Sequence, residues 1–141
     1  MGGRLVTLVL IGTILAAGCT RFPDGARRQV RVNDRTLSVL LAGPDGMRGL
    51  SSFEGADGML FDLAREVDPT AVSFVMDGVA SPLDIAWFDA RGTLVGSTTM
   101  PTCTAEPCPR HEAPGPYRWA IEAPAGSLAE LPSAARLEVG D

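Results

Sequence analysis

The stretch Ser81-Pro82-Leu83-Asp84-Ile85-Ala86-Trp87-Phe88-Asp89 constrains the fold more than any other part of the chain. A strand presents successive side chains to opposite faces. Leu83, Ile85 and Trp87 therefore belong to one face, and Asp84, Ala86 and Phe88 to the other. Both faces are apolar apart from one carboxylate, which is the pattern of a strand covered on both sides. It requires an apolar layer above, another below, and partners for Asp84.

Short strands separated by turn residues supply those layers. Gln29–Val32 and Thr36–Leu41 flank Asn33-Asp34-Arg35 and predict a hairpin. Gly55-Ala56-Asp57-Gly58 predicts a turn, Met59-Leu60-Phe61 a short strand, and Ala71–Met76 a longer strand ended by Asp77-Gly78. The central strand turns through Asp89-Ala90-Arg91-Gly92 into Thr93–Thr99, the clearest hairpin of the chain. Met100 to Pro116 carries prolines at 101, 107, 109, 114 and 116, and is too long for an idle connection. Tyr117–Ala123 and Ala135–Val139 complete the strands. Pro44 suits the first turn of a short helix reaching Leu50, and Ser127–Leu131 suits one helical turn. The expected fold is mainly β: a compact single-domain β-sandwich or jelly-roll-like barrel with one or two short helices.

The N-terminus has a different character. Arg4 precedes the apolar run Leu5–Leu15, which is shorter than the roughly 20 residues needed to span a bilayer and has the length of a signal-peptide core. Leu15-Ala16-Ala17-Gly18-Cys19 resembles a bacterial lipobox, with Ala16 where leucine is commoner. That resemblance implies lipidation of Cys19 and cleavage just before it. Several acyl chains on one residue hold a protein to a bilayer without a transmembrane helix. The chain is expected to divide into a lipoprotein signal peptide over 1–18, a lipidated tether over 19–28 and a β domain over 29–141. Its expected location is the extracytoplasmic side of a bacterial membrane, held there by the lipid on Cys19.

A composition 45% apolar fills one core, and a formal net charge of −5 argues against nucleic acid as a partner. With Cys19 assigned to lipid, Cys103 and Cys108 remain as an even pair in an oxidising compartment, and a disulfide is expected between them.

The order Met47-Arg48-Gly49-Leu50, Gly58-Met59-Leu60-Phe61, Ser73-Phe74-Val75-Met76 and Pro82-Leu83-Asp84-Ile85 is similar to the bacterial and archaeal DUF192 family. Cys103, Pro107-Cys108, Tyr117, Ala125-Gly126 and Gly140-Asp141 continue the resemblance, which covers roughly residues 37–141. It implies a jelly-roll type of sandwich and no settled biochemical activity. Two departures stand out. Val75 occupies a position usually aromatic, and Gly78-Val79 replaces a polar Asn-Thr pair.

The candidate binding residues are Arg48, Asp84 and Met76. Asp84 needs donors inside an apolar layer, and Arg48 is the family-matched cation for a bidentate contact. One reading places the pair at the floor of a pocket. The other makes it a buried ion pair, or makes Asp84 a cap on backbone N–H groups. Met47, Met59, Met76 and Met100 with His111 suggest a soft copper site on one reading and core packing on the other. Cys103-x₄-Cys108-x₂-His111 is too small a ligand set for closed zinc, so no metal or cofactor is expected. Trp87 and Trp119 either stack on sugar or fill the core.

No catalytic residue is assigned. The function expected is that of an envelope-tethered binding or accessory module for a small ligand, a glycan or an envelope protein. The alternative is an enzyme acting on an envelope component through Asp84, which needs a second carboxylate in the same cleft, from Glu54, Asp57 or Asp77.

Overall fold

The computed structural model describes residues 25–42, 53 and 55–140. The short helix expected to reach Leu50 and the lipidation expected at Cys19 lie outside them, as does Arg48. Nine strands follow in order: β1 Arg27–Val32, β2 Arg35–Ala42, β3 Gly58–Val67, β4 Phe74–Val75, β5 Leu83–Phe88, β6 Leu94–Met100, β7 Arg110–His111, β8 Tyr117–Pro124 and β9 Leu137–Val139. Seven form one sheet in the order β6-β5-β8-β3-β2-β1-β9, while β4 and β7 pair as a small second sheet.

Both expected hairpins form. Asn33 turns β1 into β2 with φ of 56°, a left-handed conformation that asparagine tolerates. Asp89 turns β5 into β6 by accepting the backbone N–H groups of Arg91 and Thr93 at 2.9 Å each. Among the described residues only β2 and β3 pair in parallel. The large sheet curls until its two edges meet at one end, where Thr93 bridges Arg136 and the Leu137 N–H donates to Gly92 at 2.7 Å.

The curl gives the sheet a concave interior and a convex exterior, and each face carries a core. Inside lie Val30, Val32, Leu37, Val39, Leu60, Ala86, Phe88, Ile121, Ala123, Leu128 and Leu137. Outside, Met59, Phe61, Leu83, Ile85, Trp87, Met100 and Ala120 pack against Phe74 and Met76 from the β4 segment and Tyr117. All six residues of β5 are buried, as the two-sided apolar pattern required.

Three expectations need correction. No helix occurs among the described residues: 127–131 forms turns, and side-chain capping of their N–H groups replaces a helical turn. The expected strand Ala71–Met76 shrinks to Phe74–Val75, because Asp68 accepts from Thr70 and the Ala71 N–H closes a turn on the Asp68 carbonyl. The short strand at Met59 instead runs ten residues, with a register break between Asp62 and Val67. Within that break Ala64 has φ of 63°, and its N–H is held by the Asp62 carboxylate at 2.8 Å.

Candidate functional site

The described part of the chain buries two carboxylates, Asp84 and Glu122. Sequence reasoning selected the first and passed over the second.

Asp84 faces the concave core and is fully enclosed. One carboxylate oxygen accepts the Thr99 hydroxyl from β6 at 2.6 Å. The other accepts the backbone N–H groups of Leu128 and Ala129 at 2.9 and 3.0 Å. Burial by itself raises a carboxyl pKa, but the bonds from Thr99, Leu128, Gly126 and Ala129 favour the anion, and the net shift is downward. Asp84 therefore clamps the 126–129 turn onto β5. This is the capping arrangement left open by the sequence. The acceptors are occupied and sealed from solvent.

Glu122 lies on β8 opposite Met59 of β3 and Ile85 of β5, on the convex side of the sheet. Its residue surface is 6% exposed. Burial pushes its carboxyl up to about 7, and no cation or hydrogen-bond donor among the described residues counters that effect. It lines a small cavity of about 50 Å³ with Phe61, Leu83, Phe74, Val75, Met76, Ser73 and Val79. The floor comes from β3, β5 and β8 and the wall from the 73–79 segment.

That wall is held from three sides. β4 pairs with β7 through Phe74–His111 and Val75–Arg110. Arg110 Nε donates to Ser73 Oγ at 2.8 Å, and the Tyr117 hydroxyl donates to the Val72 carbonyl at 3.2 Å. Cys103 and Cys108 form the expected disulfide, which staples the loop leading into β7. Phe61 meets Phe74 edge-on, with ring centroids 5.2 Å apart, and closes the apolar side of the cavity. Val79 adds to this lining, and Val75, 48% exposed, stands at its rim. Both occupy positions at which the family resemblance led one to expect other groups.

Met76 is thus a cavity residue and Asp84 is not. Met59, Met76 and Met100 are buried within one apolar cluster. Asp77, Glu106 and Cys108 lie within reach of one another, but the Cys108 sulfur is committed to the disulfide. Trp87 is core, while Trp119 is partly buried with the Arg118 guanidinium 4.2 Å from its ring centre. Of the carboxylates proposed to accompany Asp84, Asp57 holds the Ser38 N–H at 2.7 Å and Asp77 is exposed. Glu54 lies outside the described residues. Glu122 had the same sequence signal as Asp84, a carboxylate inside an apolar strand, Ala120-Ile121-Glu122-Ala123.

The sequence profile of the DUF192 family, described as an uncharacterised group, matches residues 31–140. The chain belongs to the DUF192 family. No curated protein matches it. Among solved structures it is similar to a Sinorhizobium meliloti protein named as a candidate transcription regulator, with a TM-score of 0.65 and 24% identity over 84% of this chain and 98% of that one. It is also similar to a protein of unknown function from Novosphingobium aromaticivorans, with a TM-score of 0.64 and 20% identity over 79% and 84% of the two chains. These likenesses establish a shared fold. As a DUF192 domain the protein belongs to a family of unknown function.

Proposed function

We propose that this DUF192 protein is a lipid-anchored binding module of the bacterial cell envelope, with its ligand site in the Glu122 cavity. The observation that carries the binding reading is a nine-tenths buried carboxylate lining an apolar recess without a protein partner among the described residues. Interiors leave few polar groups unanswered, and an unanswered carboxylate at a recess is suited to an incoming group. Among the described residues the cavity has one carboxylate and no histidine, cysteine or second acid on its lining, so it favours recognition over acid–base chemistry. The anchor reading rests on the apolar run and on Cys19 after Ala17-Gly18.

Two measurements test the two parts. Membrane fractionation with acyl labelling should place label on the wild-type chain and none on Cys19→Ser; unlabelled wild type refutes the anchor. Native mass spectrometry of the detergent-solubilised full chain should show a co-purifying small molecule that is lost in Met76→Trp, which fills the recess. A bare mass, together with no thermal shift from a panel of small amines, acids and alcohols, refutes the binding site.

A further inference from the structure

Glu122 is surrounded by hydrocarbon and aromatic carbon: Phe61 and Leu83 from the sheet, and Phe74, Val75, Met76 and Val79 from the wall. Among the described residues Ser73 is the other polar side chain on the lining, and its hydroxyl already receives Arg110 Nε. A buried carboxylate in such surroundings reaches neutrality in one of two ways, by taking a proton or by taking a cation. The recess, about 50 Å³, admits the end of a molecule and no more.

The cation class follows from the donors available. A hard divalent ion requires six or more oxygen ligands, and one carboxylate with one engaged hydroxyl falls far short. A soft copper ion requires several sulfur or nitrogen ligands, and Met76 is the single thioether on the lining among the described residues. A guanidinium presents five donors in a rigid fork and would leave most of them unanswered here. A primary ammonium is compact, and its attached methylenes match an apolar wall.

Building on the binding reading above, we propose that the Glu122 cavity receives the terminal ammonium of a primary alkylamine end-on. The ammonium sits against the Glu122 carboxylate, and the first methylenes pack among Phe61, Phe74 and Met76. A free small amine and a lysine side chain of a partner protein carry the same chemistry. Either would bind as the cation to the Glu122 anion, so binding expels the proton that burial otherwise favours. Among the described residues no other titratable side chain lines the cavity. Asp77, Glu106 and Arg110 line a separate depression beyond Val75, and Asp62 pairs with Arg118 at 3.4 Å.

The test uses the detergent-solubilised full chain with ¹³C-methyl methionine, the Met76 signal being assigned through Met76→Leu. Titration with n-propylammonium chloride at pH 8.5 should shift the Met76 methyl, and at pH 5.5 the affinity should be roughly tenfold or more weaker, because Glu122 is then protonated while the amine stays charged. Glu122→Gln should lose the pH dependence and at least about tenfold in affinity at pH 8.5. Nα-acetyl-lysine methylamide, compared with n-propylammonium, separates the two sources: tighter binding of the lysine derivative points to a protein partner, and tighter binding of the simple amine to a metabolite. Binding of n-propylammonium that is independent of pH in the wild type overturns the proposal even if the variant fails to fold. If n-butanol shifts Met76 and the ammonium does not, the cavity binds a neutral ligand, so the ammonium proposal fails while the binding site stands. Silence from both probes removes both.

Discussion

Asp84 and Glu122 sit on adjacent antiparallel strands, one register step apart: Asp84 lies opposite Ala123, and Ile85 opposite Glu122. The single step sends the two buried carboxylates to opposite faces of one sheet. Asp84 meets four donors in the concave core, and Glu122 meets an apolar recess on the convex side. Near neighbours in the backbone, they are opposite in electrostatics. One is held as an anion by the fold, and the other is held towards its neutral form.

The two faces predict opposite pH dependences of stability. Glu122 titrates near 7 when folded, against an ordinary value of 4.5. Between those values the folded chain holds a proton that the unfolded chain has released, so this contribution is fully present at low pH and is lost as pH rises through about 7. The shift corresponds to about 3 kcal/mol. Glu122→Gln should therefore be more stable than wild type above pH 7 by up to that amount and equal to it near pH 4, as read by urea denaturation across pH. A variant equally destabilised at every pH contradicts the assignment.

Asp84 runs the other way. Its folded carboxyl titrates below the ordinary range, so its contribution is present above the unfolded value and disappears as pH falls through the folded one. Asp84→Ala leaves the Leu128 and Ala129 N–H groups and the Thr99 hydroxyl without their acceptor. The expected loss is roughly 3 kcal/mol at pH 7, and Thr99→Val alone should cost about 1 kcal/mol. Amide exchange at Leu128 and Ala129 should accelerate in Asp84→Ala before global unfolding does. Unchanged protection there would show that the turn does not depend on the clamp.

Gly58 begins β3 where it crosses the backbone of Glu122. A Cβ at this position would run into the Glu122 carbonyl oxygen and come within 3.3 Å of Ala123 Cβ. The obstacle is backbone, which cannot rotate aside. Gly58→Ala should cost about 2–3 kcal/mol by forcing β3 from β8, and the Met76 methyl signal beside Glu122 should shift with it. Retention of wild-type stability would mean that the two strands are not packed as described.

The Cys103–Cys108 bridge closes a five-residue separation. Loop-closure entropy for so short a ring is modest, about 2 kcal/mol. The larger effect should be local, because the bridged loop leads into β7, and β7 supports the β4 wall of the Glu122 cavity. Cys103→Ser with Cys108→Ser should leave the seven-stranded sheet cooperative in thermal unfolding. It should also weaken n-propylammonium binding several-fold and speed exchange at Phe74 and Val75. Undiminished binding would uncouple the loop from the cavity.

Local rules account for what was legible in the sequence. Period-two alternation located β5 and both of its covered faces, since the position of a side chain in a strand fixes the face it takes. Turn chemistry at Asn33 and Asp89 located two hairpins, and the residue order carried the family and the cysteine pairing. Tertiary structure decided the rest, because it depends on which distant segments meet. Alternation announced that Asp84 would be buried, though not by which partners, since Leu128 and Ala129 lie 44 and 45 residues from it in the chain, and the same signal around Glu122 went unread. It gave no hint that the 73–79 segment would leave the sheet and roof Glu122 with apolar side chains. The charge state of a buried carboxylate is set by the donors around it, and only the folded chain brings those donors to one face and withholds them from the other.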